Sequence, residues 1–179
     1  MPRVFPSGLK LLYARMIREM FEGKTGGLRM KVLSIAALAF RPVHFNELAR
    51  LAGLPSCDQK DVEYMCGSFL TIREGTVYFI HHSAKDFLSA HRLLFPKGRA
   101  EVHCEIVSRS LQAMDETLDR DIYGQQHPGV LINEGDPVNR DPLDQIRYSC
   151  AYWINHVSEI DKSLHYRIGL HDNGKLTHS

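Results

Sequence analysis

The decapeptide "FIHHSAKDFL", residues 79–88, sets His81 and His82 beside Ser83 and Asp86. Serine, histidine and aspartate are the parts of a nucleophilic triad, and paired imidazoles can hold a metal ion. The spacing argues against both. A triad needs its base between nucleophile and acid in space, a place that a histidine next to the serine in sequence does not easily reach. Neighbouring residues on a strand point to opposite faces, so His81 and His82 are not expected to ligate one metal. The stretch instead predicts a join between strand and helix. Ser83 with Asp86 three positions on matches a capping box, in which the hydroxyl accepts a first-turn N–H and the carboxylate reaches back. Such a cap stabilises by about 1 kcal/mol.

Gly23-Lys24-Thr25 has the form of the end of a phosphate-binding loop. That loop needs a glycine five residues before the second one, and Arg18 stands there inside an amphipathic helical stretch. The triplet is read as an interhelix loop. Cys57, Cys66, Cys104 and Cys150 are far apart, with no close pair to clasp zinc or anchor a disulfide framework. They read as reduced, mostly buried thiols of an intracellular, cytoplasmic protein. The 22 Lys and Arg residues against 21 Asp and Glu leave a net charge of +1, which gives no basic footprint for nucleic acid. The chain opens "MPRVFPSGLKLLYARM", without the apolar core of a targeting segment. Its longest near-apolar run, "VLSIAALAF", is half of the roughly 20 residues a membrane span needs.

The elements that must position these residues follow from apolar spacing. Residues 7–22 are predicted as a helix with Ser7 as N-cap and Leu9, Leu12, Tyr13, Met16 and Met20 on one face. Two glycines break it, and a second helix runs over about residues 27–39 until "RPVHF" stops it. "FNELARLAGL" and "SCDQKDVEYMCGSF" are two short helices, the first capped by Gly53, the second opened by Ser56 and Gln59 at capping-box spacing. "FLTIREGTVYFIH" reads as a hairpin turning at Glu74-Gly75. Helix, short extended piece, helix, helix, hairpin is the order of a winged helix. Beyond it lie helices at 83–94, 100–119 and 143–160. Cys104, Val107, Leu111, Met114 and Leu118 are the expected core stripe of the second, and Leu143, Ile146, Cys150, Trp153 and Val157 that of the third. A long loop, "DIYGQQHPGVLINEGDPVNRDP", separates those two, and "HDNGKLTHS" is a loose tail. The expected fold is mainly α: a winged helix followed by a helical annex.

A winged helix raises DNA binding as an alternative. Its second helix offers Gln59 and Lys60 to base edges, against Asp58, Asp61 and Glu63, which repel phosphates. Nucleic acid is therefore not the expected partner.

"FPSGLKLLYARMIREM", "VLSIAALAFRPVHFNELARLAGL", "VEYMCGSFLTIREGTVYFIHHSAKDFL" and "IRYSCAYWINHV" resemble the segment after the ATPase core of fungal NACHT-type STAND signalling NTPases. That family includes vegetative-incompatibility-like proteins with ankyrin or WD repeats, and the similar module is the winged helix named after GPI inositol-deacylase. The resemblance covers about residues 5–160, and is most specific at Cys66-Gly67-Ser68, Phe79-Ile80-His81 and Ser83 to Leu88. It implies a division into residues 1–26 from the end of the NACHT region, a winged helix at 27–95, a helical annex at 96–170 and a tail at 171–179. It also implies a non-catalytic regulatory piece that packs on the nucleotide-binding domain. In such proteins a histidine of an MHD-like motif approaches the β-phosphate of ADP. By position that residue is His81, with His82 where the motif has Asp. ATP or ADP would bind the NACHT core, not this chain, whose partners would be that core and a C-terminal repeat domain. Without a phosphate loop or a repeat array the chain reads as a fragment, a truncated gene model or a degenerate paralogue. The stripe Leu9, Leu12, Tyr13, Met16, Met20 is then expected to be an uncovered patch that promotes self-association.

Overall fold

The computed structural model describes residues 7–22, 25–54, 58–120, 122 and 141–173, with the side chains of Ser7 and of 163–173 left out. The capping side chain of Ser7, the residues Ser56 and Cys57, the Gly23-Lys24 pair, most of the long loop and the last six residues of the expected tail lie outside what is described. The fold is mainly helical with one small antiparallel sheet, as expected for a winged helix followed by a helical region. Seven helices are described: α1 Ser7–Phe21, α2 Gly26–Leu38, α3 Phe45–Ala52, α4 Gln59–Cys66, α5 His82–Ala90, α6 Arg99–Thr117 and α7 Arg147–Asn173. Three strands, β1 Val43–His44, β2 Leu70–Arg73 and β3 Thr76–Phe79, form the sheet in the order β1-β3-β2. A 3-10 turn, Arg92–Leu94, follows α5.

Local chemistry explains most boundaries. Glu74 and Gly75 both have positive φ, 48° and 74°, the pair that closes a two-residue hairpin with the strands' own twist. A Cβ at Gly75 would collide with the His44 imidazole, so the turn packs tightly on the start of α3. Gly53 ends α3 in the left-handed region at φ 57°, as its place in "LAGL" predicts. The α1–α2 join is tight: a Cβ at Gly26 would strike the Phe21 carbonyl, which gives that glycine its reason, while Gly27 faces open space. Lys85 Nζ donates to Ala39 O at 3.1 Å and Ser89 Oγ to Ala37 O at 3.4 Å, so α5 satisfies carbonyls at the end of α2.

Four expectations need correction. The capping box of α4 is Asp58 with Asp61, not Ser56 with Gln59: Asp61 N donates to Asp58 Oδ1 and Asp58 N to Asp61 Oδ2, each at 2.9 Å. The α1 stripe is not an uncovered patch, because Tyr13, Ile17 and Met20 are buried with α2 and α5, and Leu9 and Met16 pack against that core. Of the stripe only Leu12 is exposed. The core faces of α6 and α7 are turned by about 100°, one residue, from the expected stripes. His103, Ile106, Ser110 and Ala113 are buried on α6, and Tyr148, Ser149 and His156 on α7, while Cys104, Leu111, Cys150 and Val157 are exposed; Ile146, just before α7, is buried as expected. Apolar spacing could not reveal a contact face built of histidine, serine and alanine. Lastly, α7 runs past residue 160 to Asn173, into the first residues of the expected tail.

One buried carboxylate joins the two halves. Glu47, third residue of α3, is 2% exposed. It accepts from His44 N at 2.8 Å, from Arg41 at 2.6 and 2.9 Å, and from Tyr148 N at 2.9 Å. His44 completes a capping box on α3, and Tyr148 belongs to the first turn of α7. Glu47 therefore serves two helix N-termini at once, where negative charge is stabilising. The Arg41 guanidinium stacks over the Tyr148 and Tyr152 rings at 5.3 and 5.9 Å, and its hydrogen bond to Glu47 raises its pKa further. Removing one member of a buried, hydrogen-bonded charge pair costs about 3–5 kcal/mol. Glu47→Ala should lose stability of that order in chemical denaturation. Glu116→Ala, which breaks a surface pair with Arg50, should lose under about 1 kcal/mol. Equal losses would contradict the role of Glu47.

Candidate functional site

His81 stands between β3 and α5 as the N-cap residue, with extended backbone at φ −131° and ψ 139°. Its side chain makes no capping bond and is exposed. The backbone around it is held: Ile80 N donates to Phe69 O at 2.9 Å and Ala84 N to His81 O at 3.0 Å. An imidazole is thus presented to solvent at the positive end of a helix, on a fixed backbone. Beside α5 lies a cleft of about 210 Å³, with Val43, Leu70 and Val77 in its lining and Arg41, His82 and Lys85 among its polar groups.

The opening motif resolves differently from its sequence reading. The helix begins at His82, one residue early, so Ser83 lies inside the first turn and does not cap it. Ser83 Oγ sits 3.1 Å from Tyr13 Oη, tying α5 to α1. Asp86 carries its carboxylate 3.2 Å from His82 Nδ1. The serine is engaged by a tyrosine hydroxyl, so the residues of "HHSAKD" form a helix start tied to its neighbours. Among the described residues no group of three His, Cys, Asp or Glu could hold a metal ion, and no helix is long and apolar enough to cross a membrane. Of the three cysteines described, Cys66 is buried and its thiol pushed up to about 12 by burial, while Cys104 and Cys150 are exposed, contrary to the expectation of mostly buried thiols.

A second cluster escaped the sequence reading. His103 Nδ1 and His156 Nδ1 lie 2.7 Å apart, both residues buried, and His156 Nε2 lies 2.7 Å from Tyr148 Oη. Phe40 N donates to that same hydroxyl oxygen at 3.3 Å, leaving the tyrosine proton for His156 Nε2. His156 then donates Nδ1–H to His103 Nδ1. This order satisfies every bond with both imidazoles neutral. Phe40 packs on the His156 ring at 4.8 Å between centroids and stacks on Tyr152 at 5.8 Å, so the cluster fills the join between the winged-helix part and the α6–α7 hairpin. The available signal was two histidines inside apolar helices, which spacing alone does not bring together.

Burial lowers the pKa of His156 to about 4, aided by His103; burial likewise lowers that of His103, with Arg99 adding to the shift and Glu159 opposing it. Burial pushes the Tyr148 hydroxyl up to about 12. Both imidazoles therefore gain protons more readily in the unfolded chain, where histidine titrates near about 6.5. Their contribution to stability is complete above that pH and is lost as pH falls through the folded-state values. Urea midpoints should drop between about pH 6.5 and pH 4. An imidazole titration by NMR separates this loss from that of carboxylates: His156 should stay neutral well below the pH at which free histidine charges. A His156 signal titrating near 6.5 would contradict the buried relay.

Vegetative incompatibility protein HET-E-1 of Podospora anserina is 40% identical to this chain over 181 residues. The match covers 90% of this chain, and the chain spans 13% of that protein's length. No family model matches the chain. No solved structure matches it either. The similarity reaches nearly the whole chain, and so takes in both the wing and the hairpin: the chain is a homologue of one segment of a fungal vegetative incompatibility protein.

Proposed function

We propose that this chain is the non-catalytic regulatory and interaction segment that follows the ATPase core of a fungal NACHT-type STAND signalling protein. The carrying observation is the 40% identity with HET-E-1 over nearly the whole chain. In this reading β1 to β3 with α2 to α5 are the winged helix of the GPI inositol-deacylase kind, and the segment packs on the nucleotide-binding domain in the cytoplasm. It couples nucleotide state to activation, with the ATPase core and a C-terminal repeat domain as its intramolecular partners. ATP or ADP binds the core, and His81 is the residue of this segment that reaches the nucleotide.

The geometry supports that role for His81. It is exposed, lies at a helix N-terminus and is held by backbone bonds on both sides, so a phosphate brought against it meets a positioned donor. The nucleic-acid alternative meets an acidic surface: Asp58, Asp61 and Glu63 are exposed along α4, with Lys60 as the cation among them.

The isolated chain should neither hydrolyse ATP nor bind it tightly. Turnover that disappears on mutating a residue of this chain would sink the non-catalytic reading. Mixed with the nucleotide-binding half of a full-length relative, the chain should bind the ADP form better than the ATP form. His81→Ala should weaken the ADP-bound complex by about tenfold, the value of one hydrogen bond to a charged group, and the ATP-bound complex much less. Titration calorimetry with each nucleotide reads the difference. Equal weakening would leave His81 as a surface residue without a nucleotide role.

A further inference from the structure

Each acceptor in the buried relay between α6 and α7 is already in use. Phe40 N donates to the tyrosine oxygen, and in the donor order that satisfies every bond Tyr148 Oη donates to His156 Nε2 and His156 Nδ1 to His103 Nδ1. His103 Nε2 carries that ring's own proton. A further proton from solvent therefore finds no vacant nitrogen on either imidazole. Taken up at His156 Nε2, it points Nε2–H at Tyr148 Oη and displaces the bond that the hydroxyl was donating. Taken up at His103 Nδ1, it faces the Nδ1–H of His156 across 2.7 Å. That clash relaxes only if His156 shifts its proton from Nδ1 to Nε2.

Both routes reverse the bond at the tyrosine: His156 Nε2–H now faces Oη, which accepts from it and from Phe40 N together, and the tyrosine proton loses the nitrogen it was donating to. Tyr148 is 1% exposed, so water does not replace the lost partner where it stands. A buried donor left unmade costs more than an ordinary hydrogen bond contributes, and the group must move to recover one. A second proton sets Nδ1–H against Nδ1–H and forces the rings apart.

The strained bond lies where the two halves meet. Tyr148 is in the first turn of α7, and Phe40 follows the end of α2 and packs on the His156 ring. Charges from each packed element bear on the uptake. Arg99 of α6 opposes a charge on His103, while Glu159 of α7, paired with Lys162, favours one on either histidine. Arg41, from the loop after α2, lies over the Tyr148 ring and is itself held by Glu47 of α3. We infer that the His103–His156–Tyr148 relay is a proton-operated latch: one proton taken up by the histidine pair reverses it and releases the α6–α7 hairpin from Phe40, while Glu47 still holds the start of α7. The latch does not rest on the nucleotide-coupled role, since neither its residues nor its test involves His81.

Trp153, the single tryptophan, lies half-buried on α7 three residues before His156 and serves as the fluorescent probe. Acidifying the 179-residue chain should give a reversible change in its fluorescence with far-ultraviolet circular dichroism retained. Across the same step the Phe40 amide should lose tenfold or more of its protection from hydrogen exchange, after correction for the intrinsic rate. Glu159→Gln should move the step to lower pH, because it removes the group that favours the charged pair. The double change His103→Gln with His156→Gln keeps the order of donors, since Tyr148 can donate to the side-chain carbonyl oxygen of the glutamine at position 156 and the amide of that side chain to the carbonyl oxygen of the one at position 103. It offers no basic nitrogen, so the step should vanish. The parent's own nitrogen-15 imidazole spectrum serves if that variant does not fold: at neutral pH, His156 should carry its proton on Nδ1 and His103 on Nε2. A fluorescence step that survives the double change, opposite tautomers in the parent, or a Phe40 amide equally protected on both sides of the step overturns the proposal.

Discussion

The structure depends on a single buried carboxylate with both oxygens fully used. Glu47 accepts from a loop arginine, from the backbone of β1 and from the first turn of α7, and is closed off from water. An unpaired carboxylate in that place would be strongly destabilising, so the three donors are required together. That requirement fixes where α7 begins relative to α3, although 101 residues separate Glu47 from Tyr148. It also orients Arg41, whose guanidinium then covers the Tyr148 and Tyr152 rings. The wing is tied to the same point from the other side, because Phe45 N bonds Gly75 O at 2.7 Å and the hairpin turn closes on His44.

Beyond this anchor the α6–α7 join is made of unusual material. Two serines and two histidines lie at the buried contact positions, and the histidine pair is neutral because burial disfavours the charged form. A relay of backbone amide, tyrosine and two imidazoles runs through it in three consecutive hydrogen bonds. Small side chains let helices approach closely, and the hydrogen-bonded rings supply the volume that leucines would otherwise fill. The larger apolar side chains, Leu111, Leu118 and Val157 among them, are thereby displaced to the outer face.

The same fact sets the limit of what the sequence showed. The order of the elements, the glycine turn of the wing and the αL cap at Gly53 were legible because they follow from spacing within ten residues or so. The α6 and α7 faces were misread because the period there marks the uncovered side; sequence spacing reports that a face is apolar, not what it meets. The candidate site was half legible. His81 falls where a strand gives way to a helix, as expected, but the first helical residue is His82, which removes Ser83 from capping and hands its hydroxyl to Tyr13. The box on α3 was overlooked because histidine, an uncommon cap, occupies the place of serine or aspartate. Glu47 as a joint between halves could not be read at all, since its decisive donor lies a hundred residues away.

These attachments bear on how a signal would pass through the segment. The position of His81 owes nothing to capping bonds of its own ring, since it is set by what holds α5. Ser83 fastens the first turn of α5 to Tyr13 of α1, which also packs on Phe87 and Phe69 at 5.4 and 5.8 Å, inside the core. Lys85 and Ser89 fasten the same helix to carbonyls at the end of α2. The carbonyl that Lys85 holds belongs to Ala39, the residue before Phe40, whose amide bonds the Tyr148 hydroxyl. Two paths therefore converge on α5. One runs from α1 through the Tyr13–Ser83 hydroxyl pair and the Tyr13–Phe87 ring contact, and on the proposed reading α1 is the element closest to the nucleotide-binding domain. The other runs from the hairpin through the tyrosine and the peptide between Ala39 and Phe40. Neither acts on the imidazole itself; both act on the turn that carries it, so a displacement at either end of the segment reaches His81 as a movement of its backbone.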